Sequence, residues 1–153
     1  MGDMTVCHVL DGNKLLLKMA TRGISQGKWN GPGGKIDSSE DPEQCAIREV
    51  FEETGLEVRD LTSHGSLKFH MDGKEELSFI VHLFSTKSFK GQIKSTDEGE
   101  VRWFDADDVP YDAMWDDDKY WLYLMLNGRK FDMDVYFDEK NKRVLKYFTV
   151  LTD

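Results

Sequence analysis

The chain has 153 residues, 39% apolar and 12% aromatic, enough to bury a core and too apolar for a disordered segment. Twenty basic against 29 acidic residues give a formal charge of −9, which excludes a basic footprint for a DNA or RNA backbone. No apolar run reaches membrane-spanning length, no signal peptide opens the chain, and Cys7 and Cys45 are too few for a disulfide framework.

These bounds predict a reduced, cytoplasmic protein with residues 1–153 forming one domain, acting as a monomer, with a dimer as the alternative. Thr5 to Leu10 and Lys14 to Met19 flank the turn signal Asp11-Gly12-Asn13 and predict a hairpin. A Gly-rich stretch from Gly23 to Gly34 follows. Such a loop lets backbone approach a ligand or metal closely. A helix comes next. Asp41 suits its N-cap, Pro42 its first position and Gly55 its C-terminal cap. Within it Glu49, Glu52 and Glu53 are spaced i, i+3 and i+4 and share a face. Like charges so crowded repel, and no base intervenes. A divalent cation is the simplest remedy, and hard oxygen ligands select Mg²⁺ or Mn²⁺. Ala46, Ile47, Val50 and Phe51 form an apolar stripe roughly opposite the acids, predicted to be buried. Arg48 can hold one of the acids by a forked hydrogen bond.

Leu67 to Met71, the turn Asp72-Gly73-Lys74 and Leu77 to Thr86 predict a second hairpin. Its second strand is largely apolar on both faces, as a central strand is. Gly99 to Asp105 reads as a strand, and Asp118 to Leu126 as a helix closed by Asn127-Gly128. Trp121, Tyr123 and the leucines of this helix are expected in the core. Phe131 to Phe137 and Arg143 to Val150 predict a last hairpin. Strands with two helices fit a mixed sheet between helices. His8, His64, His70 and His82 lack metal-ligand spacing.

Trp115, followed by Asp116, Asp117 and Asp118, suits a purine site. The indole stacks on a base. Adjacent aspartates in an apolar pocket push each other's pKa up, so one is protonated near neutral pH and the pair reads a keto-purine edge. The plainer alternatives are that these aspartates cap the helix and that Asn30 is an ordinary turn residue.

The segment Gly34 to Leu56, GKIDSSEDPEQCAIREVFEETGL, resembles the Nudix box, G-x5-E-x7-R-E-U-x-E-E-x-G-U, at every fixed position. The resemblance implies an α/β/α sandwich with a mixed β-sheet that hydrolyses a nucleoside diphosphate linked to another group, using Mg²⁺. It implies Glu49, Glu52, Glu53 and the Gly33 carbonyl as metal ligands, and Glu52, Glu53 or Glu98 as the base that takes a proton from water. Arg48 orients a glutamate, and Glu40 stabilises the junction of loop and helix. A closer similarity spans most of the chain: Arg22-Gly23, Trp29-Asn30-Gly31, Gly33-Gly34-Lys35, Trp103-Phe104 and Met114 to Trp121 are similar to the oxidised purine nucleoside triphosphatases, which act on 8-oxo-dGTP and 2-hydroxy-dATP. By motif position this implies that Asn30, Trp115, Asp117 and Asp118 hold the base, that Thr5 is a further pocket residue, and that Lys35 meets a phosphate. The chain departs from that group at Ala20, Ile24, Pro32 and Asp116. Such departures leave open whether 8-oxo-dGTP is the best substrate. The alternatives are a hydrolase of ADP-ribose or another nucleoside diphosphate derivative, and a non-catalytic module that binds a nucleotide. In every case the partner is a small nucleotide, with neither a nucleic acid polymer nor a membrane involved.

Overall fold

The computed structural model describes residues 2–95 and 99–152. In chain order the strands are β1 Met4–Asp11, β2 Lys14–Met19, β3 Trp29–Asn30 and β4 Gly33–Lys35, then helix α1 Pro42–Thr54, β5 Glu57–Arg59, β6 Thr62–His70, β7 Phe79–Thr86, β8 Ser88–Lys90 and β9 Val101–Asp105. Helix α2 Asp118–Leu126 and strands β10 Lys130–Phe137 and β11 Val144–Thr152 complete the chain. Both helices and the three predicted hairpins are present. The short β5–β8 ribbon, three residues a side, has no counterpart in the sequence reading.

One mixed sheet runs in the order β11-β10-β6-β7-β1-β2-β3, with β4 added to β1 and β9 to β2. The β1–β7 and β6–β10 pairs are parallel. β7 is central, as its two apolar faces require. One core lies on the α2 side, around Leu17, Leu83, Leu122 and Phe131. The other lies on the α1 side, around Val9, Leu16, Ala46 and Val50. The helices therefore cover opposite faces, giving the α/β/α layering expected.

What positions the site is a fork in this sheet. The beginning of β1 pairs with β4, Met4 to Lys35, Thr5 to Gly34 and Val6 to Gly33. Its end pairs instead with β2, Leu10 to Leu15 and Asp11 to Lys14. The two partners diverge, and the gap between them opens onto the N-terminal half of β1.

The cap signals of α1 are realised. Asp41 accepts from Gln44 N at 2.8 Å, and Gln44 returns a bond to Asp41 N at 2.9 Å. Gly55 turns left-handed at φ 85° and donates to the Phe51 carbonyl. The predicted stripe needs one correction. Ala46 and Val50 are fully buried, but Phe51 is 53% exposed. Phe51 lies about 100° around the helix from Val50, whereas Glu53 lies about 60° the other way. The buried arc thus leans toward the acids, and Glu53, not Phe51, is its edge. Tyr123 is likewise exposed rather than in the core. His8 is buried with neither ring nitrogen hydrogen-bonded among the described residues, and burial pulls its pKa down to about 4, so it is a neutral filler.

Candidate active site

The last two turns of α1 bring the three glutamates to the fork, but to unequal depths. The Glu53 side chain is 5% exposed, that of Glu49 16% and that of Glu52 52%. Burial, and then the adjacent Glu49, push Glu53 up to about 8, against Lys18, whose ammonium sits 3.0 Å from its Oε1. A carboxyl forced into this position without a strong cation prefers to keep its proton.

Arg48 organises the other acids. Its Nε and Nη2 fork onto the two Glu40 oxygens at 3.1 and 2.7 Å. Nη1 donates to Glu49 at 2.8 Å and to Glu52 at 3.3 Å. Glu40 also accepts from the Asp37 N–H, and the Arg48 contact is the main reason its carboxyl is held down at about 2. Glu40 therefore ties the loop to the helix and fixes Arg48, which in turn fixes Glu49.

Gly33 and Gly34 bring backbone against this cluster. A Cβ on Gly33 would collide with the Thr5 carbonyl, and one on Gly34 would stand 2.6 Å from Glu49 Cδ. Only glycine lets β4 pass between β1 and the helix. The donors gathered here are all oxygen, and four glutamates, Glu40, Glu49, Glu52 and Glu53, share the two cations Arg48 and Lys18. That set fits a hard divalent cation. Among the described residues no three acidic, histidine or cysteine side chains converge on one point, because Arg48 draws Glu49 and Glu52 while Lys18 draws Glu53. Glu98 lies outside the described residues.

Two cavities meet at the fork. A polar one of about 300 Å³ is lined by Lys18, Ala20, Gly33, Gly34 and Glu53. An apolar one of about 190 Å³ lies under α2, walled by Leu67, Phe69 and Met71 and edged by Trp115, Asp117 and Asp118. They share Met4, Val6, Ser25 and Asn30, so they adjoin. Asp117 and Asp118 are both buried. Asp117 Oδ2 accepts from Trp121 Nε1 at 2.7 Å, yet burial still pushes Asp117 up to about 6. Burial, then Asp117, push Asp118 well above the usual carboxylate range. Asp118 makes no side-chain hydrogen bond among the described residues. Asp117 stands at the N-cap position of α2 without capping it, so the helix-cap alternative does not explain the pair. Asp116 turns away, accepting from Val144 N at 2.8 Å and pairing with Lys119.

The sequence-derived residues thus fall into two groups and two exceptions. Glu49, Glu52, Glu53, Arg48 and Gly33 meet at the fork, and Asn30, Trp115, Asp117 and Asp118 meet at the apolar cavity. Thr5 is the first exception. Strand alternation turns Met4 and Val6 into the apolar cavity but Thr5 toward α1, where Oγ1 lies 3.3 Å from Cys45 Sγ. Thr5 borders the polar cavity only. Lys35 is the second, with an exposed side chain that lines neither cavity. Two residues were missed. Lys18 is a charge ending the apolar run Leu15-Leu16-Leu17, which is itself a signal. Ser25 accepts from Trp115 Nε1 at 2.8 Å and fixes the indole, and a lone serine in a loop gave no hint of this.

A NUDIX domain family model matches residues 2–125. The chain belongs to the Nudix family. It is a Nudix hydrolase, a class that generally uses divalent metals. The oxidized purine nucleoside triphosphate hydrolase of Danio rerio is 41% identical over 128 residues, 84% of this chain and 81% of that protein. The Mus musculus protein of the same description is 37% identical over 143 residues, 94% and 90% of the two chains. The crystal structure of the MutT protein from Bacillus halodurans superposes with a TM-score of 0.85 over 96% of both chains at 24% identity, a likeness of Nudix fold alone. No helix among the described residues is long and apolar enough to cross a membrane.

Proposed function

We propose that this Nudix hydrolase converts oxidised purine nucleoside triphosphates, such as 8-oxo-dGTP, to the monophosphate and pyrophosphate. The observation that carries this reading is the buried pair Asp117–Asp118, beside Trp115, at the edge of an apolar cavity that adjoins the Glu53 cavity. Two carboxyls with raised pKa values offer both a proton donor and an acceptor to one base edge. Ordinary guanine and its oxidised form differ in which edge atoms carry hydrogen, and such a pair is suited to that difference. The similarity to the fish and mouse hydrolases supports the same substrate class.

In this reading the base lies against Trp115 with Asn30 and the aspartates at its edge, and the phosphates extend past the fork to α1. Glu49, Glu52, Glu53 and the Gly33 carbonyl would hold Mg²⁺, or Mn²⁺, which neutralises phosphate charge and acidifies a water. Glu40 and Arg48 hold Glu49 and Glu52 in place. Glu52, Glu53 or Glu98 takes the proton as the water oxygen bonds to phosphorus and the P–O bond to the pyrophosphate leaving group breaks. Both cysteines are free, in keeping with a cytoplasmic setting, and we take residues 1–153 as one functional unit acting as a monomer.

A panel of oxidised and normal nucleoside triphosphates with ADP-ribose, assayed with Mg²⁺ for monophosphate and pyrophosphate, tests this. Oxidised purines should lead. ADP-ribose ahead by tenfold or more would replace the proposal with the nucleoside diphosphate alternative.

A further inference from the structure

Lys18 is a closely held cation beside the glutamates. Its side chain is only 15% exposed, and its ammonium reaches Glu53 Oε1 at 3.0 Å. Ordering a lysine stem costs rotamer freedom, and desolvating both charges costs more, so the ion pair with Glu53 alone is a poor reason to hold it here. Its place in the sheet is informative. Lys18 pairs across β2–β3 with Asn30, and Asn30 is one of the residues shared by the two cavities. Lys18 therefore lines the polar cavity beside a residue that also lines the base cavity, with its ammonium on Glu53. A nucleotide with its base at Asn30 and its phosphates at α1 must run past it. Ala20, two residues further along, lines the same polar cavity with only a methyl group and brings no charge. Glu53 lines the same cavity, and its carboxylate repels a phosphate chain.

We propose that Lys18 is a substrate-binding residue that takes the phosphate chain, exchanging Glu53 for phosphate oxygens as the nucleotide enters. The proposal rests on the reading that the polar cavity receives the phosphates, but not on which base is bound. A lysine suits the task. It is a point charge with three donors on a flexible stem, able to follow the chain without the fixed fork of an arginine. Its pairing with Glu53 holds the charge at the site before substrate arrives, so little reorganisation is needed. The bland alternative is that Lys18 only neutralises Glu53.

Calorimetric binding of inorganic triphosphate in the presence of Mg²⁺ separates these, because that probe has no base. Lys18→Met and Lys18→Gln should bind it about tenfold or more weakly than the wild type, the loss expected of one charge-assisted contact. Lys18→Arg should recover most of the affinity. Binding of the 8-oxo-guanosine nucleoside, followed by Trp fluorescence, should change less than twofold in all three variants. Should Lys18→Met fail to fold, Lys18→Gln keeps the stem and carries the same test. Neutral variants that bind inorganic triphosphate as the wild type does overturn the Lys18 assignment alone. A wild-type protein that binds no inorganic triphosphate overturns it together with the phosphate reading of the cavity. A base preference other than oxidised purine leaves the Lys18 result standing.

Discussion

Glu53 should make the metal-free protein less stable as pH rises. Its residue is 4% exposed, and burial followed by Glu49 pushes its carboxyl from 4.5 up to about 8. Between those values the native state holds a proton that the unfolded chain has released, so raising pH pulls the equilibrium toward unfolding. This residue's contribution is complete below about pH 4.5 and is lost as pH climbs through about 8. One such proton corresponds to about 1.4 kcal/mol per pH unit, at most about 5 kcal/mol over the window. Glu53→Gln keeps the shape and cannot titrate. At pH 5 both proteins present a neutral group to Lys18 and should be of similar stability. Near pH 8 in EDTA the Gln variant should be the more stable. Mg²⁺ should reverse that order, because the cation binds the wild-type carboxylate and not the amide. Urea denaturation midpoints from pH 5 to 9, with EDTA and with Mg²⁺, measure this. Asp117 and Asp118 also titrate high, so the quantity to read is the difference between the two proteins. A flat difference in EDTA would mean that Glu53 is ionised throughout and holds no buried proton.

Other outcomes follow from the same geometry. Asp118→Asn fixes one member of the base-edge pair as a neutral amide, and should change kcat/KM ratios between oxidised and normal purine triphosphates by tenfold or more, about 1.4 kcal/mol or above for a mismatched buried contact; equal slowing of all bases would remove Asp118 from base recognition. Gly34→Ala should lose at least tenfold in kcat with little change in melting temperature, because its Cβ meets only the movable end of Glu49. Gly33→Ala should instead lower the melting temperature, since its Cβ meets the Thr5 carbonyl in the sheet, and two similar melts would refute the contrast. Glu40→Gln releases the fork on Arg48, so the Mg²⁺ concentration for half-maximal turnover should rise severalfold, while an unchanged requirement would leave Glu40 as a loop clasp only.

Local chemistry made α1 legible. Asp41, Pro42 and Gly55 act within a few residues of themselves, so their roles can be read without the rest of the fold. The same holds for Arg48 beside Glu49 and Glu52. The failures are non-local. Phe51 looked buried because an apolar stripe was drawn on an isolated helix, and only the sheet decides that the buried arc runs from Val50 toward Glu53. Thr5, implied as a pocket residue by motif position, lines the polar cavity but not the apolar one. Whether residue 4 or residue 5 points inward depends on which face α2 covers, and a one-residue change inverts the answer. Lys18 and Ser25 act across contacts 35 and 90 residues long, Lys18 to Glu53 and Ser25 to Trp115, which no local spacing reveals.

The divided behaviour of β1 bears on specificity. Met4 and Val6 wall the apolar cavity, while the carbonyl of Thr5 packs against Gly33 beside the glutamates. In the proposed reading one strand borders both the base and the hydrolytic glutamates, since Met4 and Val6 line both cavities. Changes on the α2 side can then alter the base without moving Glu49 or Glu53. The rim shows this freedom: Ile24 borders the apolar cavity yet is 75% exposed, so it contributes little enclosure. Base choice in this chain must rest on the buried elements instead. In the proposed reading Trp115, hydrogen-bonded to Ser25, is the stacking surface, and Asp117, hydrogen-bonded to Trp121, stands with Asp118 at the base edge. A pocket with an open rim and a firm polar edge discriminates by hydrogen-bond pattern more than by size, which suits lesions that change a purine's edge while scarcely changing its shape.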